Sequence, residues 1–146
     1  FSPDAGNLLF MGRTGLGKTY LSACIAAEVA KKGCEVRYYP AQALIDCFER
    51  VRFHRENGPD DAAAMREILT CDLLILDEAG SAWELDMVDK ALLQKAVRER
   101  PAARECVLTA HQPPQWMLDA ADYSTEMKCR RHPYQKGIKA RKGIEY

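Results

Sequence analysis

The chain has 146 residues, 47% of them apolar and 29% charged, with 21 basic and 21 acidic side chains. That is the size and composition of one soluble globular domain, and the zero net charge excludes a protein that grips polyanions over its whole surface. No apolar run reaches the about 20 residues of a membrane span and no signal-like segment occurs, so no membrane partner is expected.

The charge is unevenly spread. Residues 1–78 hold 9 Lys/Arg against 12 Asp/Glu, and residues 79–146 hold 12 against 9. Most of the basic excess lies in "KCRRHPYQKGIKARK" (128–142), within a basic C-terminal tail at 128–146. Such a tail suits phosphate, nucleic acid or an acidic partner, or is simply a solvated surface. Six cysteines lie scattered without a C-x-x-C pair, several inside apolar segments. They read as reduced thiols of an intracellular, cytoplasmic protein.

In chain order, "NLLFM" (7–11), "EVRYY" (35–39), "DLLIL" (72–76), "CVLTA" (106–110) and "DYSTEM" (122–127) read as strands. Segments 17–31, 41–53, 61–70, 86–99 and 113–121 read as helices. Apolar strands alternating with helices predict an α/β fold, a parallel sheet covered on both faces. The whole of 1–146 is expected to form a single domain.

The stretch "GRTGLGKTY" (12–20) follows the first strand and opens the first helix. Gly12, Gly15, Gly17, Lys18 and Thr19 satisfy G-x-x-x-x-G-K-[ST], the loop whose backbone amides cradle phosphates. Gly12, Arg13, Thr14, Gly15, Leu16, Gly17, Lys18, Thr19 and Tyr20 are therefore the candidate ATP-binding residues. The helix start favours an anion, Lys18 adds a point charge to the terminal phosphates, and the Thr19 hydroxyl is a candidate Mg²⁺ ligand. The alternative is a glycine turn with a chance lysine.

The second candidate site segment is "DLLILDE" (72–78), which sets Asp77 at the carboxyl end of a central strand, beside the loop. Asp77 is a candidate metal partner there, with Thr19. Glu78 either orients or deprotonates an attacking water, or is a neighbouring polar group without a role. Lys18, Asp77 and Glu78 are thus the candidate catalytic set.

Residues 7–78, from "NLLFMGRTGLGKTYLSACIAAEVAKKG" to "CDLLILDE", resemble the AAA+ ATPases of the helicase-loader and transposase-helper group. From about Leu76 onward, "ILDEAGSAWELDMVDKALLQKAVRERPAARECVLTA" and the ending "TEM…RHPYQKGIKARKGIEY" are similar to the C-terminal half of ATP:corrinoid adenosyltransferases. The chain thus looks like a fusion of two P-loop families within the "LILDE" strand. The shared P-loop fold implies a three-layer sandwich with a five-stranded parallel sheet in the order 5-1-4-3-2. The second resemblance implies transfer of the 5′-deoxyadenosyl group of ATP to a cob(I)alamin-type corrinoid with release of triphosphate. ATP, Mg²⁺ and a corrinoid are its ligands, and a homodimer is one expected assembly. The first resemblance implies ATP hydrolysis acting on a replicative helicase or single-stranded DNA. A third expectation is a chain that binds ATP and does neither.

Each family's pattern is incomplete here. Adenosyltransferases carry a lysine where Leu16 stands and a threonine where Tyr20 stands. Loaders carry a polar sensor, usually Asn, where this chain has "LTAHQ" (108–112), with His111 the nearest substitute. Trp83 and Trp116 either stack on a ligand or pack in the core. Arg50, Arg52 and Arg55 around Phe53 suit single-stranded DNA or a charged helix face. His132, within the basic tail, lacks partners at metal-ligand spacing.

Overall fold

A computed structural model of the chain describes residues 6–52, 66–101 and 103–139. Five strands, β1 (Leu8–Met11), β2 (Val36–Pro40), β3 (Leu73–Asp77), β4 (Glu105–Ala110) and β5 (Tyr123–Glu126), form one sheet in the order β2-β3-β4-β1-β5. Every pairing is parallel. Read from the other edge this is the expected 5-1-4-3-2. The helices are α1 (Lys18–Lys31), α2 (Ala41–Arg52), α3 (Ala79–Glu84), α4 (Lys90–Arg98) and α5 (Gln115–Ala120), with residues 66–70 also helical.

All five residues of β3 are buried, which explains the unbroken apolar run before Asp77. Burying each such leucine stabilises the fold by roughly 1.5–3 kcal/mol. Alternation along the strands sends side chains to two faces. On one face Leu9, Leu74, Leu76 and Leu108 pack against α2 (Leu44, Ile45), α4 (Leu93, Val97) and α5 (Trp116, Met117). On the other face Phe10, Leu73, Ile75 and Val107 meet Ile25, Ala26 and Val29 of α1. The two-residue period therefore directs Asp77 and Thr109 to the α1 side, at the carboxyl edge of the sheet.

Several boundaries differ from those read in the sequence. The helix expected over 86–99 starts only at Lys90, as α4, after a turn, and α3 at 79–84 precedes it where no helix is expected. Asp86 takes a positive φ of 51°, and Asp89 caps α4, its Oδ1 accepting from the amides of Ala91 and Leu92 at 2.9 and 3.1 Å. Helix 113–121 shortens to α5 because Pro114 stands as an extended residue ahead of the first turn. Of the helix expected at 61–70, only 66–70 falls within the described residues. The two edge strands, β2 and β5, have no buried residue, and all four residues of β5 are exposed. No helix among the described residues is long and apolar enough to cross a membrane, and all six cysteines are free.

Candidate functional site

The glycine-rich loop begins where β1 ends. Gly12 donates its amide to the Ala110 carbonyl of β4 at 3.2 Å, and Met127, just past β5, donates to the Met11 carbonyl at 2.8 Å. Gly12 has a φ of 138°, and a Cβ on it would stand 2.3 Å from the Met127 carbonyl oxygen. Only glycine fits between these two strands. Gly17 caps α1 with φ 88° and no side-chain bond, so the first amides of the helix face the loop's concavity. Lys18 folds back over that concavity, its Nζ donating to the carbonyls of Gly12 at 2.7 Å and Arg13 at 2.9 Å.

Across from the loop, three side chains and one backbone amide share one hydrogen-bonded cluster. Asp77 Oδ1 accepts from Thr19 Oγ1 at 3.2 Å and from Thr109 Oγ1 at 2.6 Å. Thr109 Oγ1 in turn accepts from the Glu78 amide at 2.8 Å. Glu78 sits in the left-handed region (φ 57°, ψ 24°), strained for a residue with a Cβ. Ser22, fully buried in α1, donates to the Thr19 carbonyl at 3.0 Å, and its oxygen lies 3.3 Å from the Tyr38 hydroxyl of β2. Burial pushes the Tyr38 phenol above its ordinary value. The Ser22 hydrogen bond opposes that shift and the Asp77 charge adds to it.

Two cavities open at this edge. A cavity of about 590 Å³ is bordered by Thr14, Gly15, Gly17, Lys18, Thr19, Tyr20 and Glu78. A second, of about 740 Å³, is bordered by Gly12, Arg13 and Leu16 and by tail residues including Lys128, Arg130 and His132. Thr14, Gly15 and His111 border both. The candidate residues are thus divided between two neighbouring spaces, while Asp77, 8% exposed, lies behind Thr19.

Sequence reasoning missed Thr109, Ser22 and Tyr38. Thr109 had a signal, since it is a lone hydroxyl in the apolar run "CVLTA". His111 is exposed and borders both cavities. Trp83 and Trp116 pack on each other with ring centroids 5.1 Å apart, beneath Lys90 and Arg98. Arg50 is exposed on α2, whereas the side chain of Arg52 and all of Phe53 and Arg55 lie outside the described residues. No group of His, Cys, Asp and Glu suited to a metal cluster occurs among the described residues.

The family described as ATP:corrinoid adenosyltransferase BtuR/CobO/CobP matches residues 45–146. The chain belongs to this family. The match begins well upstream of the strand where the second resemblance was expected to start, yet it leaves the phosphate loop outside. A corrinoid adenosyltransferase from Sinorhizobium sp is 33% identical over 75 residues, 51% of this chain and 35% of that protein. An ATP-binding protein of an insertion sequence from Pseudomonas fluorescens is 27% identical over 107 residues, 73% of this chain and 44% of that protein. This chain therefore spans less than half the length of either relative. Among solved structures, the DnaC helicase loader aligns with a TM-score of 0.62 at 17% identity, covering 88% of this chain and 82% of that one. That likeness concerns the fold alone. The mixed, chimera-like ancestry expected from the residues is matched by both sets of relatives.

Proposed function

We propose that the chain binds ATP at the carboxyl edge of the sheet and acts as a corrinoid adenosyltransferase. One observation carries this. The strand and tail of the family-matched stretch are hydrogen-bonded onto the phosphate loop through Met127 and Met11, so the two halves of the chain border a common site.

In this scheme the loop amides and Lys18 hold the triphosphate, with Lys18 exchanging the Gly12 and Arg13 carbonyls for phosphate oxygens. Thr19 and Asp77 offer hard oxygen donors 3.2 Å apart, a set that suits Mg²⁺. The metal would supply charge neutralisation for the phosphates. The reduced cobalt of the corrinoid gives its electron pair to C5′ of ATP. A cobalt–carbon bond forms, the C5′–O bond breaks, and triphosphate leaves with the bonding electrons. The chain's contribution is to align ATP and steady the leaving group, which are positioning and electrostatic tasks.

A second reading is ATP hydrolysis, favoured by the place of Glu78 on the wall of the cavity that Lys18 borders. There Glu78 would orient water toward the terminal phosphate. One experiment separates the two. The protein is incubated anaerobically with Mg-ATP and chemically reduced cobalamin. Triphosphate together with a cobalt–carbon absorption spectrum is the expected result. ADP and phosphate would instead support hydrolysis, and neither product would leave nucleotide binding alone.

A further inference from the structure

We infer that Thr109 is the positioning residue of this site, a single hydroxyl that sets both the orientation of Asp77 and the backbone of Glu78. The inference rests on the reading of the site as one for Mg-ATP.

Thr109 is the last inward residue on the α1 side of β4, and it is 1% exposed. A hydroxyl there needs partners, because burying one unpaired is costly. It has two, on the last residue of the neighbouring strand β3 and on the residue that follows it. Its proton goes to Asp77 Oδ1 at 2.6 Å, and its oxygen receives the Glu78 amide at 2.8 Å.

These bonds do different things. The first fixes the carboxylate from behind, leaving its Thr19-facing side toward the loop, where Thr19 reaches the same oxygen at 3.2 Å. The second satisfies an amide that the left-handed turn at Glu78 takes out of the strand ladder. At φ 57° a side-chain-bearing residue needs such an anchor to persist. Glu78 then begins α3, and its own side chain borders the cavity. Without Thr109, the carboxylate loses its short bond and the Glu78 turn loses its tether together. The group acts through Asp77 and Glu78, so it works by alignment rather than by touching the nucleotide.

The test uses Thr109→Val, which keeps the shape and removes both bonds, and Thr109→Ser, which keeps the hydroxyl. Affinity for a fluorescent ATP analogue is titrated against Mg²⁺ for each protein. Thr109→Val should raise the half-saturating Mg²⁺ concentration by about 10–100-fold, the range seen when a ligand's supporting partner is removed. Metal-free affinity should stay within about twofold on the same reasoning, and Thr109→Ser should restore the Mg²⁺ dependence. Equal Mg²⁺ dependence in wild type and Thr109→Val would overturn the inference and leave the site's assignment standing. A wild-type protein that fails to bind the analogue would sink the assignment itself. If Thr109→Val does not fold, amide exchange in the wild type decides the matter. The Glu78 amide should exchange as slowly as those of β3, and exchange at the rate of an exposed loop amide would overturn the inference.

Discussion

Thr19 Oγ1 and Asp77 Oδ1 lie 3.2 Å apart, although 58 residues separate them in the chain. One stands at the head of α1 and the other at the end of β3, so the pair exists only when the sheet and the helix on its face are both in place. Asp77→Asn keeps the size of the side chain and removes its charge. In Mg²⁺, its affinity for an ATP analogue should fall to the value measured with chelator present, as read by fluorescence titration.

Lys18 bonds to the Gly12 and Arg13 carbonyls of its own loop. Replacing it with alanine removes a charge-assisted contact of about 1.5–3 kcal/mol. Affinity for ATP should therefore drop by roughly tenfold to a hundredfold. Isothermal calorimetry on Lys18→Ala checks this, and unchanged affinity would contradict the assignment of the loop.

Gly80 of α3 lies against β4. A Cβ on it would stand 2.4 Å from the Ala110 Cβ and 2.9 Å from its Cα. Gly80→Ala should destabilise the protein by about 1–3 kcal/mol through overpacking. Adding Ala110→Gly removes the nearer atom and should return part of the loss. Urea unfolding of both single variants and the double variant measures that coupling.

Arg100 reaches from the segment after α4 to the carbonyls of Ile68 at 3.0 Å and Cys71 at 2.7 Å. It ties the end of the helical residues 66–70 to the start of β3. Arg100→Ala should lower stability by about 1.5–3 kcal/mol. Lysine should recover only part of this, because an ammonium lacks the planar fork. Thermal unfolding compares the three proteins.

The cysteines divide by burial. Cys71 and Cys106 are fully buried, and burial pushes the Cys106 thiol up to about 12, whereas Cys129 is exposed. At pH 8, iodoacetamide should label Cys129 readily and leave Cys71 and Cys106 unmodified until denaturant is added. Mass spectrometry of native and unfolded samples reads this directly.

How much of this was legible beforehand depended on range. "GRTGLGKTY" announces a tight turn, because Gly12, Gly15 and Gly17 stand where the backbone takes a positive φ. The strand order followed from family likeness and from alternation of apolar runs with helices. Helix α3 was invisible, since "AGSAWE" has no marked periodicity and starts at a left-handed Glu78. The boundaries around Asp86 and Asp89 were set by backbone turns and a cap that a pattern of apolar spacing does not encode. Thr109 and Arg100 act through partners about 30 residues away, and nothing local in the sequence names those partners. Tyr38 looked like an ordinary strand aromatic, and only the closeness of α1 to β2 gives its hydroxyl a place beside Ser22.

The order of strands has a consequence for biosynthesis. The chain up to Asp77 provides β1 to β3 and the remainder provides β4 and β5, yet β1 is threaded between β4 and β5. A nascent chain that has emerged only as far as Asp77 has β2 and β3 to pair but no neighbour for β1. The glycine-rich loop that follows β1 therefore gains strand neighbours on both sides only after β4 and β5 have been made.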